Sequence, residues 1–133
     1  MDNEKRKTVL EILKQCWSIN SSSRWTIENP ARGQCGVTAL VIQDVFSGDI
    51  LKTKVDKEWH YYNFIDGERV DFTESQFPSS IFYSDTECKR IDAVLDTELN
   101  QYLYLSTIFR NYIKNYPGLV EPKRELNVVS EQQ

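Results

Sequence analysis

Three residues of this sequence have the types and the order for nucleophilic chemistry: Cys35, His60 and Asp71. His60 is the single histidine, so any imidazole acid–base step falls to it. It stands in Trp59-His60-Tyr61-Tyr62, an aromatic run suited to a strand. Cys35 stands in Gly33-Gln34-Cys35-Gly36, where the most apolar stretch of the chain begins. A thiol at a helix N-terminus meets the positive end of the macrodipole and unpaired N–H groups, which favour the thiolate and can hold an oxyanion. Gly33 and Gly36 leave room for a substrate backbone, and the Gln34 amide is a further oxyanion donor. Asp71 lies on the return arm of a hairpin whose turn is Asp66-Gly67. Pairing about that turn sets Asp71 opposite Tyr62, two residues from His60. The three then share one face, and the carboxylate can orient the imidazole diagonally.

Each anchor also has a plainer reading. Cys35 is a small core residue, His60 a half-buried strand residue, and Asp71 a cap for the turn at Thr73. Cys16, on the apolar side of a helix, fits the core role. Cys88 has basic neighbours, Lys89 and Arg90, that favour modest activation, but no histidine near it in sequence.

The elements that must position these residues follow from periodicity. Residues 4 to 17 read as an amphipathic helix carrying Val9, Leu10, Leu13, Cys16 and Trp17 on one side. A long irregular segment follows, with Trp25 and Pro30. Residues 35 to 46 are too long and too apolar for an ordinary strand and read as a buried helix stopped at Ser47-Gly48. Strands are predicted over 49 to 55, 59 to 65 and 68 to 72. Thr73 and Gln76 have capping-box spacing ahead of a short helical turn over 74 to 77. A further strand is predicted over 81 to 83, while 88 to 91 is ambiguous. A helix over 96 to 115 shows a wide apolar stripe that includes Leu99, Leu103, Leu105 and Phe109, and Tyr116-Pro117-Gly118 ends it.

The bulk properties narrow the classes. A chain of 133 residues with 40% hydrophobic and 27% charged side chains makes one soluble domain, here residues 1 to 120 with a polar tail over 121 to 133. The formal charge of −4 argues against nucleic-acid and anionic-membrane partners. No apolar run has the length of a signal peptide or a membrane span. Three widely spaced cysteines without a C-x-x-C pair suggest neither a disulfide framework nor structural zinc, and place the chain in a reducing cytoplasm.

Gly33-Gln34-Cys35-Gly36-Val37-Thr38-Ala39, then Trp59-His60-Tyr61-Tyr62-Asn63, then Val70-Asp71-Phe72-Thr73 resembles the Cys–His–Asp order of the transglutaminase-like, papain-like superfamily. There a Gly-Gln-Cys opens the central helix, the His lies on a strand and the Asp on the next one. The stretch from Asn29-Pro30-Ala31 to Phe77 resembles, more closely, the YunG-like family of small bacterial proteins. Gly36 replaces the aromatic residue that often follows the cysteine in transglutaminases, and the His60–Asp71 spacing is short, so no substrate class carries over.

The expectation is an α+β domain in which a central helix bearing Cys35 packs on an antiparallel sheet bearing His60 and Asp71, flanked by the N- and C-terminal helices. The expected chemistry is thiol-dependent acyl transfer on a peptide or small-molecule amide or ester. Cys35 attacks, His60 moves the proton, Asp71 orients His60, Gln34 and Gly36 serve the oxyanion and substrate backbone, and Trp25, Trp59 and Tyr62 contact substrate. No cofactor is required. One alternative is a non-catalytic binding module with Trp25, Trp59, Tyr61 and Tyr62 lining a pocket. Another is a metal site of Cys35, His60 and Asp71, which lacks the paired spacing of zinc sites.

Overall fold

The computed structural model describes residues 1–121. Helix α1 (Asn3–Cys16) opens the chain, with the Asp2 side chain accepting from the Lys5 N–H as its cap. Residues 17–34 form turns, and helix α2 follows as Cys35–Phe46. Strands β1 (Asp49–Val55), β2 (Glu58–Ile65), β3 (Glu68–Val70) and β4 (Thr86–Cys88) make one antiparallel sheet in the order β3-β2-β1-β4. Helices α3 (Arg90–Leu95) and α4 (Leu99–Ile113) complete the fold. This is an α+β architecture. Among the described residues no helix is long and apolar enough to cross a membrane.

The central position of α2 explains its composition. Val37, Val41, Ile42 and Val45 join Val9, Ile12 and Leu13 of α1 and Leu105 and Phe109 of α4 in the main core. Ala39 and Leu40 face the other way, onto Ile50 and Tyr61 of the sheet. A helix buried on both sides has no need of a polar stripe. Its few polar groups are satisfied: Trp17 Nε1 donates to Thr38 Oγ1 at 2.9 Å, and Asn63 Nδ2 donates to the Ala39 carbonyl at 3.0 Å. The second bond ties α2 to β2, the strand that carries His60.

Four expectations are corrected. The helix predicted over 96 to 115 starts at Leu99, because Thr97 folds back to donate to the Ala93 carbonyl at 2.7 Å and separates α3 from α4. Its stripe is narrower than its composition, with Leu99 66% and Leu103 49% exposed. No strand forms over 81–83, and Phe82 is 87% exposed. Thr73 and Gln76 form no capping box: Thr73 makes no side-chain cap bond, and Gln76 turns instead to the Gly33 N–H. The tail over 121 to 133 lies, from residue 122 on, outside the described residues.

Candidate functional site

The β2–β3 hairpin turns at Asp66-Gly67, both with positive φ (53° and 79°), and pairs Asn63 with Val70 and Ile65 with Glu68. This is the expected register, and it delivers Asp71 just beyond β3, diagonal to His60. His60 Nε2 donates to Asp71 Oδ2 at 2.7 Å, and both side chains are almost fully buried. Asp71 is held from three more directions. Its Oδ1 accepts from the Thr73 N–H (3.1 Å) and Thr73 Oγ1 (3.3 Å), and its Oδ2 from Tyr83 Oη (2.8 Å). An ionised carboxylate only accepts, so Nε2 must carry its proton. The edge of the His60 ring relation to Phe77, 4.9 Å between centroids at 89°, fixes the plane of the imidazole.

The remaining ring nitrogen, Nδ1, is buried and has no hydrogen-bond partner. Cys35, half-buried at the first position of α2, shares a cavity of about 520 Å³ with His60. Burial disfavours the charged imidazole, but the Asp71 hydrogen bond, then Cys35, then their charges outweigh it, and the His60 pKa is pushed up to about 9. Cys35 is thus among the groups that raise the ring's pKa, while Nδ1 itself makes no hydrogen bond. Catalytic hydrogen bonds are often unformed until substrate binds.

The other two cysteines differ. Cys16 is buried, and burial pushes its thiol up to about 12. Cys88 is also raised by burial, against a smaller opposing effect of Lys52, so its basic neighbours do not activate it.

Several expected contacts are not made. Gln34 is fully buried, absent from the cavity wall, and makes no cap bond to α2. Gly36 lines the cavity, but a Cβ there would meet Thr97 Oγ1 at 2.4 Å, and one at Gly33 would meet Ser22 Oγ at 2.4 Å. Both positions are thus closely packed against the chain's own side chains. Trp59 and Tyr61 line the cavity, whereas Trp25 packs on the main core and Tyr62 bonds Asp85 away from it. The four-aromatic pocket is thus not assembled. Among the described residues no three His, Cys, Asp or Glu side chains are grouped to hold a metal; Asp71 is already occupied by its four donors.

Sequence reasoning missed Tyr83, Phe77 and Thr97. Only Phe77 carries any local signal, as an apolar residue after the Gln76 turn; the others reach the site through long-range folding.

A family model described as YunG protein matches residues 5–114 of this chain. The chain is 52% identical over 104 residues to a Bacillus subtilis (strain 168) protein named "Uncharacterized protein YunG", an alignment that covers 78% of this chain and 90% of that one. No solved structure matches.

Proposed function

The chain belongs to the YunG family, and we propose that it performs thiol-dependent acyl transfer, with Cys35 as nucleophile, His60 as proton carrier and Asp71 as the residue that orients His60. One observation carries this reading. A buried His60–Asp71 pair, with one ring nitrogen left unpartnered, lines a cavity together with a half-buried cysteine at a helix start. The order of parts is that of transglutaminase-like and papain-like enzymes.

An imidazolium beside a sulfur favours thiolate over thiol. The thiolate attacks an amide or ester carbonyl, forming an S–C bond and a tetrahedral oxyanion. The first N–H groups of α2 have no intrahelical acceptor and stand ready to stabilise it. Collapse breaks the C–N or C–O bond, and His60 gives its proton to the leaving group. Water or an amine then attacks the thioester, His60 takes the proton, and the thiolate returns. Asp71 keeps the ring in one tautomer throughout. Arg24, Lys54 and Lys57 stand with Glu58, Asp96 and Glu98 around the cavity, and this mixture of signs suits a peptide-like amide better than a polyanion or polycation.

The test is acylation by 4-nitrophenyl acetate, read as 4-nitrophenolate release and as an acetyl adduct mapped by mass spectrometry. The reading expects the adduct on Cys35 and a loss of on the order of 10⁴-fold or more in Cys35→Ser. Release of 4-nitrophenolate without an adduct on Cys35, or undiminished in Cys35→Ser, would contradict it.

A further inference from the structure

Five buried side-chain polar atoms among the described residues have no hydrogen-bond partner: Trp25 Nε1, both amide atoms of Gln34, His60 Nδ1 and Gln76 Nε2. Only His60 and Gln76 belong to the wall of the Cys35 cavity. Native interiors rarely leave such groups unpaired, and an exception beside a reactive cysteine calls for an explanation, a catalytic role among them.

Every other polar atom of Gln76 is engaged. Its N–H donates to the Thr73 carbonyl at 3.1 Å, and its carbonyl accepts from Asn29 Nδ2 at 3.2 Å. Its Oε1 accepts from the Gly33 N–H at 3.2 Å. That last bond also settles the orientation of the amide, because only the oxygen end can accept from an N–H. The free end is therefore the NH₂ group. It is anchored to backbone two residues before Cys35, and the next residue, Phe77, braces the His60 ring.

We infer that Gln76 Nε2 is the side-chain donor to the oxyanion formed when Cys35 attacks a carbonyl, the role that sequence adjacency assigns to Gln34. The inference rests on the acyl-transfer reading and names the group that works with the α2 N–H groups. An oxyanion is a stronger acceptor than the ground-state carbonyl, so the N–H contributes most in the transition state. A pre-fixed amide does so without reorganising.

Two reactions at the same sulfur separate this role from others. Iodoacetamide alkylates Cys35 by displacement at a saturated carbon and forms no oxyanion; 4-nitrophenyl acetate acylates it through one. Gln76→Glu keeps an acceptor for the Gly33 N–H and removes the donor, while Gln76→Ala removes both. The expected result is a fall of about 10²–10³-fold in the ratio of acylation to alkylation rate in both variants. The thermal midpoint of Gln76→Glu should stay near wild type. Taking the ratio cancels any effect of the new carboxylate on thiolate content. A ratio unchanged in either variant overturns the assignment while leaving acyl transfer by Cys35 standing. A wild-type protein alkylated but not acylated at Cys35 overturns the acyl-transfer reading and the Gln76 role together.

Discussion

Two aspartates, one just after β3 and one just before β4, anchor polar clusters that meet at Tyr83, and their bonding differs. Asp85 accepts from Tyr62 Oη (2.9 Å) and from Arg69 Nε and Nη2 (2.9 and 2.6 Å), while its own N–H donates back to Tyr62 Oη at 3.0 Å. Arg69 also lies over the Tyr83 ring, 4.1 Å from its centroid. Neither Asp85, Arg69 nor Tyr62 is left with a buried polar atom unpaired. Asp71 is as fully bonded as Asp85, but its partner His60 is not: Nδ1 is free, and so is Gln76 Nε2 on the same cavity wall. Tyr83 touches both clusters, donating to Asp71 and meeting the Tyr62 ring edge to face with centroids 5.0 Å apart. A closed network stabilises and has nothing left to offer a ligand. An open one keeps unused bonding capacity where a substrate can use it, at a cost to stability.

The sharpest break in this comparison is Asp71→Asn. It removes the largest influence that raises the His60 pKa, leaving burial, the largest influence of all, opposed by Cys35 alone. The His60 pKa is expected to fall well below about 9. NMR titration of the single imidazole would show this, and acylation of Cys35 at neutral pH should drop by about 10²–10⁴-fold. A His60 titration that ignores the change would mean that Asp71 serves only the Thr73 turn.

A smaller effect is the pH dependence of stability. His60 binds its proton more tightly folded, near 9, than unfolded, near 6.5. Its contribution is therefore fully present below about pH 6.5 and is lost as pH rises through about 9. The span is worth about 3 kcal/mol. Urea unfolding between these pH values should show wild type losing stability and His60→Gln holding a flatter profile.

The closed cluster should give the smallest effect. Asp85 and Arg69 are partly exposed, so Asp85→Asn is expected to cost only about 1 kcal/mol of unfolding free energy and to leave the Cys35 alkylation rate unchanged. A large drop in that rate would show that the two clusters are one machine joined at Tyr83.

Much of the framework was legible because local signals agreed with the global fold. The most apolar stretch of the chain placed α2 at 35 to 46, and Asp66-Gly67 set the register that joins His60 to Asp71. The turn at Asp56-Lys57 carried no such signal, since both residues adopt positive φ (50° and 71°) without a glycine. The break at 96–98 was hidden because helical periodicity runs through it; what stops the helix is Thr97 seating against Gly36. Gln34 was misplaced because adjacency in sequence is not adjacency in space: one step before the helix, its side chain turns into the interior. Gln76 and Tyr83 reach the site only after the chain has crossed the sheet, and no local pattern announces that.

The central claim is that Cys35 is a nucleophile supported by His60, and competitive alkylation of the three cysteines in the folded protein tests it most directly. Limiting iodoacetamide at neutral pH, followed by mass-spectrometric mapping, should label Cys35 first, Cys88 slowly and the buried Cys16 least, in keeping with the raised thiols of the last two. His60→Ala should abolish the lead of Cys35, because its sulfur loses the imidazolium that favours the thiolate. Labelling of Cys35 no faster than Cys88, or a lead that survives His60→Ala, would contradict the account.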